Sequence, residues 1–197
     1  YCEIRFFDII NNQLIISEKV WDWDYTNTTQ FKIDEPSFSF LGNGKIIGLF
    51  RDESKNPGSN YYQVTSSDLG STWTAPIRTN ICEPFFSPSP LIFFNKSLEK
   101  IIVVGTDRRL AQNGDYSSED SKIWVYSNNI EEVFDNPNGY NLINMFDRPS
   151  PSNFRLYGYP TYVNTNHNSH LIIFTESSYD GNTEDADFYQ FEIYNRQ

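Results

Sequence analysis

Four side chains able to bind or transform a polar substrate occur in two similarly spaced pairs. Glu35 and Arg51 lie about sixteen residues apart on either side of a Gly-Asn-Gly turn, and Tyr159 and Glu176 lie about seventeen apart around the polar tract Asn164 to His170. If each pair spans an antiparallel hairpin, the start of one strand and the end of the next share an edge, which brings each pair to one rim. Glu83, Ser87, Asp107, Arg108 and Arg109 occupy the comparable ends of a middle hairpin. The combined set offers carboxylates, guanidinium groups and a phenol, a mixture of donors and acceptors that suits a glycan.

The elements that must position these residues read as strands. The apolar runs are short, β-branched and aromatic, and Gly, Asn, Asp, Ser and Pro clusters bound them. No stretch reads as a helix. Three units share one plan: Pro36 to Phe50, Pro90 to Val104 and Pro160 to Phe174 each form a hairpin, and each is followed by an aromatic strand at Asn60 to Val64, Lys122 to Tyr126 or Asp187 to Phe191. Recurrence of this kind predicts an all-β fold, a β-propeller of four-stranded antiparallel blades, with about three blades plus two leading strands, Cys2 to Ile9 and Gln13 to Val20. A sandwich is the competing answer, but it does not require three copies of the same strand order.

Charge and length bound the partners. The 197 residues carry 15 Lys and Arg against 26 Asp and Glu, a net charge of −11 that repels phosphate backbones and anionic membranes, so no nucleic-acid partner is expected. No apolar run approaches the roughly 18 to 20 residues that span a bilayer, so no membrane insertion is expected either. The chain reads as one domain over residues 1–197, expected to be incomplete at its N-terminal side because it starts at Tyr1. Three blades cannot close a ring, so the rest of the propeller is expected from missing N-terminal blades or a partner chain. Cys2 and Cys82 are too few for a disulfide scaffold, although one bridge between them stays open. His167 and His170 have no Cys or carboxylate beside them and read as a solvated loop, so no metal site is expected. The acidic tracts around Asp115, Glu119, Asp120 and Asp180 to Asp187 lack an EF-hand spacing, which leaves calcium unsupported.

One motif is specific. Ser66-Ser67-Asp68-Leu69-Gly70-Ser71-Thr72-Trp73 fits S-x-D-x-G-x-T-W at every fixed position. Asp68 is suited to accept backbone N–H bonds, Gly70 to supply a positive φ, and Trp73 to pack the turn onto its blade. The motif resembles the Asp-box of sialidase-like β-propellers, six-bladed when complete, and the resemblance implies that Ser66, Asp68, Gly70, Thr72 and Trp73 are structural. It extends to the site residues. In that family a Glu opens one inner strand and an Arg closes the next, as Glu35 and Arg51 do here; in the final blade a Tyr opens the inner strand and a Glu follows the second, as Tyr159 and Glu176 do.

The resemblance implies a glycoside hydrolase. Sialidases are the exception that uses a Tyr nucleophile, because a carboxylate would approach a substrate already carrying one. Tyr159 would attack, Glu35 would serve as its base, and Arg51 would hold the substrate carboxylate in a bidentate fork. Glu176 would orient a further Arg, a place that Arg108 or Arg109 could fill. The family's first Arg and its Asp acid/base have no counterpart in these residues, and Ser127-Asn128-Asn129-Ile130 is a degenerate second Asp-box position. The resemblance also implies a glycoconjugate partner and an extracellular, periplasmic or virion-surface location. A non-catalytic glycan-binding or host-attachment module, and a purely structural assembly module, are the alternative classes.

Overall fold

The computed structural model describes residues 2–24, 32–52, 60–82, 90–106, 109–110, 116–117, 123–146, 155–157, 160–166, 169–179 and 184–194. Among them every regular element is a strand. The first hairpin is β1 (Cys2–Ile10) and β2 (Gln13–Trp23), joined at Asn11 and Asn12 with φ of 52° and 62°. Two successive left-handed residues give the turn that matches strand twist, and Asn tolerates that conformation. β3 (Ile33–Gly42) and β4 (Lys45–Asp52) turn in the same way at Asn43 and Gly44, with φ of 49° and 77°.

With β5 (Asn60–Ser66) and β6 (Ile77–Cys82) they make a four-stranded antiparallel sheet in the order β3-β4-β5-β6. The next sheet contains β7 (Leu91–Asn95), β8 (Lys100–Thr106), β11 (Ile123–Asn129) and β12 (Asn141–Phe146) in the order β7-β8-β11-β12. A two-stranded excursion, β9 (Arg109–Leu110) and β10 (Tyr116–Ser117), interrupts it. In the third sheet β15 (Ser169–Tyr179) pairs with β14 (Thr161–Asn166) and β13 (Arg155–Tyr157), and also with β16 (Glu184–Tyr194). Each unit thus shows the hairpin and following strand that its sequence announces. The fourth strands β6 and β12 have no strong apolar run because they are sheet edges: β6 reads Ile-Arg-Thr-Asn-Ile-Cys, and β12 leaves Leu142 and Ile143 exposed.

The sheets stack in chain order through apolar layers. Cys2, Trp21 and Trp23 of the first hairpin pack on Ile33, Phe50, Tyr62 and Val64, and the Trp21 and Phe50 rings lie 5.8 Å apart. On the other face of that sheet Leu41, Ile47, Leu49, Tyr61 and Ile81 meet Ile92, Ile101, Val103, Trp124, Val133 and Tyr140. Beyond the second sheet Leu91, Phe93, Ile102, Val104, Ile123 and Val125 reach Ile172 of the third. Phe93 is fully buried in the layer between the second and third sheets, and Phe94, on the opposite face of β7, packs from partial cover on the layer between the first two. Cys2 is a free thiol rather than half of a bridge. Its pKa is pushed up, first by burial and then by the Asp34 carboxylate.

A buried polar staple fixes the first two sheets against each other. Gln63 Nε2 donates to the Val133 carbonyl at 2.7 Å, and Tyr140 Oη donates to Gln63 Oε1 at 2.9 Å. Asn80 completes it, donating to the Tyr140 carbonyl at 2.8 Å and accepting from the Tyr140 N–H at 3.2 Å. Every member finds a partner, which is the condition under which such a network adds specificity instead of cost. The edge strands β3 and β7 also meet, with the Ile92 N–H donating to Ser37 Oγ at 3.2 Å.

Candidate functional site

The β3/β4 hairpin brings Glu35 and Arg51 together. Its register pairs Ile33 with Asp52 and Asp34 with Arg51, then Ser37 with Leu49, so β3 carries one residue more than β4 across this step. That is a β-bulge, the device by which a strand re-aims a side chain. Glu35 occupies it with φ of 46°, left-handed backbone that a non-glycine residue adopts at a cost, and Pro36 follows, which restricts the preceding residue further. Asp34 Oδ1 accepts the Glu35 N–H at 2.7 Å and so stabilises the turn. Across the hairpin Arg51 Nη1 meets Glu35 Oε2 at 2.9 Å, with the two side chains only 19% and 25% exposed.

The spacing predicted a shared rim, and the structure makes it an ion pair. Arg51 therefore spends at least one donor on Glu35. The bulge was the part that periodicity missed. Its signal was present, because a Pro inside an apolar-alternating run marks an edge strand or a bulge, and Pro36 sits at both.

The motif over Ser66 to Trp73 forms the connection between β5 and β6, the third and fourth strands of the sheet. Asp68 Oδ1 accepts the Thr72 N–H at 2.9 Å and the Ser66 hydroxyl at 2.8 Å, while Oδ2 accepts the Thr72 hydroxyl at 2.7 Å. These bonds hold the Asp68 carboxyl below its ordinary pKa, the Thr72 N–H contributing most. Gly70 has φ of 85° and donates its N–H to Ser66 Oγ at 2.8 Å. Trp73 Nε1 donates to the Gly70 carbonyl at 2.8 Å, and its ring meets Phe38 edge-on at 5.6 Å. The turn closes against the β3/β4 loop, where the Leu69 N–H reaches the Gly44 carbonyl at 2.8 Å. It therefore lies at the end of the sheet opposite Glu35 and Arg51, beside a recess of about 350 Å³ lined by Thr65, Thr72, Trp73 and Phe134 among others. The degenerate second position, after β11, is a different turn: the Val133 N–H bonds to the Asn129 carbonyl at 3.0 Å and the Asn136 N–H to that of Glu132 at 2.8 Å.

Tyr159 lies outside the described residues, as do Glu83, Ser87, Asp107, Arg108 and His167. Arg109 opens β9 opposite Ser117, and Glu176 stands in β15 opposite Tyr157. Tyr157 pairs with Glu176 and Thr161 with Ile173, so β13 and β14 both run along β15. Among the described residues no group of three or more His, Cys, Asp or Glu is placed to hold a metal ion. No helix among them is long and apolar enough to cross a membrane.

The arrangement can fix an anionic group: a guanidinium fork held at a rim by a carboxylate on a strained bulge, with most water excluded from both. Neither a family model nor a curated protein matches the chain.

Proposed function

We propose that the chain is part of a sialidase-like β-propeller whose mouth binds, and in the complete protein hydrolyses, an acidic glycan. Further sheets, from a longer polypeptide or a partner chain, would close the ring. The reading rests on one observation above others: the Glu35–Arg51 ion pair is built on a strained bulge at the rim of the β3/β4 hairpin. Strain of this kind persists where surrounding structure over-determines it, and such positions cluster at functional sites.

In the proposed mechanism Arg51 exchanges part of its contact with Glu35 for the substrate carboxylate, which a planar guanidinium can grip with two parallel bonds. The freed Glu35 oxygen takes the phenolic proton of Tyr159, whose ordinary pKa near 10 makes it a poor nucleophile alone. The phenolate attacks the anomeric carbon as the bond to the aglycone oxygen breaks, that oxygen takes a proton from an acid that the further sheets would supply, and water then releases the sugar from Tyr159. Glu176, Arg108 and Arg109 are proposed around the same substrate. An extracellular or surface location goes with that substrate. A second reading, a glycan-binding module without turnover, is favoured by Glu35 already being engaged as an ion-pair acceptor.

Hydrolysis of a fluorogenic sialoside tests the reading. The wild type is expected to turn over, Arg51→Ala to lose about 10²-fold in kcat/KM, as removal of one charge-stabilising group does, and Tyr159→Phe to lose more. Binding without turnover selects the second reading. Equal rates for wild type and Tyr159→Phe remove the nucleophile assignment.

A further inference from the structure

The recess beside the turn over Ser66 to Trp73 is separate from the Glu35–Arg51 rim, at the other end of the first sheet. One wall is that turn, and the other is the turn after β11, which contributes Phe134 and Asp135. The connections that form these walls, residues 67–76 and 130–140, lie wholly within the described residues. They belong to two consecutive sheets, not to an open end of the stack. Both walls are braced. The Asp68 carboxylate holds Thr72 and Ser66 on one side, and on the other the N–H groups of Asp135 and Asn136 both bond to the Glu132 carbonyl. Gln63 of β5 ties the two together through the Val133 carbonyl, next to Phe134. A recess fixed in this way is formed before a ligand arrives, so little ordering cost is left to binding.

We propose that this recess binds one uncharged sugar ring. Its volume of about 350 Å³ is at the small end of ligand sites. Trp73 and Phe134, both half-buried, give an aromatic wall for the apolar C–H face of a pyranose. The exposed Ser67 hydroxyl and Asp135 carboxylate have no partner among the described residues, so they are available to sugar hydroxyls. Lys45 Nζ stands over the Phe134 ring, 5.1 Å from its centroid, and adds a donor. The same charges argue for a neutral ligand. An anion would meet Asp135 and a chain of net charge −11, and a cation would meet the Lys45 ammonium already seated on Phe134. The inference does not depend on the acidic-glycan reading of the rim.

Titration of the ¹⁵N-labelled chain with methyl β-D-galactopyranoside and, in parallel, methyl β-D-glucopyranoside tests it, up to about 50 mM because a single sugar ring binds in the millimolar range. With at least one of them the Trp73 indole N–H and the Ser67 and Asp135 amides are expected to shift and saturate. Asp135→Asn, at an exposed position, is expected to weaken that response at least ~10-fold with the rest of the spectrum unchanged. Phe134→Leu keeps apolar bulk against the layer between the first two sheets and is expected to act in the same direction. The absence of saturable shifts with both glycosides overturns the proposal, as do shifts confined to signals around Arg51. A response indifferent to Asp135→Asn, or matched by N-acetylneuraminic acid at the same concentrations, overturns it as well.

Discussion

Glu35 shows how a single backbone angle separates stability from function. A left-handed glutamate before proline costs on the order of 1–3 kcal/mol, whereas a partly exposed ion pair returns about 1 kcal/mol or less. Glu35→Gly is therefore expected to leave the denaturation midpoint unchanged or raised while abolishing the proposed site; a clearly lowered midpoint would show that the pair, not the bulge, dominates. Gly105 makes the opposite case, since a Cβ there would stand 2.1 Å from the Trp124 ring carbons. Trp124 is buried in the layer between the first two sheets and has nowhere to move, so Gly105→Ala should cost about 1–3 kcal/mol in urea unfolding. Tyr140 adds a pH signature. Burial pushes its phenol well above the ordinary value, so the neutral form belongs to the folded state. Its contribution is whole below the unfolded phenol pKa of about 10 and is lost as pH rises beyond it. Tyr140→Phe should cost about 1–3 kcal/mol at neutral pH, by orphaning Gln63 Oε1, and should flatten the alkaline limb of the stability profile.

At the scale of elements, the turn between β5 and β6 was the most legible part of the sequence and the bulge in β3 the least. Ser66, Asp68, Gly70, Thr72 and Trp73 each act on a neighbour within a few residues, so their spacing alone encodes their bonds. Strand order in the hairpins was legible for the same reason: Asn11-Asn12 and Asn43-Gly44 mark their own turns. β6 and β12 were not, because an edge strand is held by pairing with its neighbour and needs only one modestly apolar face. Sequence spacing put Glu35 and Arg51 on one rim, but their contact depends on an extra residue that periodicity does not count. Asp68 supplies the prediction proper to this scale. Its carboxyl is held below the unfolded value of about 4 by Thr72 and Ser66, so the stability it contributes is present above that value and lost as pH falls through it. Asp68→Asn should loosen the turn and shrink the acid-limb slope of thermal stability; an unchanged slope would mean that the Thr72 bonds do not depend on the charge.

For the whole molecule, the order of sheets along the chain is also their order in space, each apolar layer joining one sheet to the next. Between the first two sheets the edge strands β3 and β7 meet, the Ile92 N–H donating to Ser37 Oγ. We propose that the rim formed by the start of β3 and the end of β4 presents Arg51, steadied by Glu35, to the carboxylate of an acidic sugar. The most direct measurement is titration of N-acetylneuraminic acid while following the Arg51 side-chain Nε–Hε resonance in ¹⁵N-labelled protein. The resonance is expected to shift and saturate, and the saturable shift of neighbouring signals to disappear in Arg51→Lys, which keeps the charge but not the fork. An Arg51 resonance that does not move at saturating sugar, or shifts that persist unchanged in the Lys variant, would rule out a carboxylate grip by Arg51.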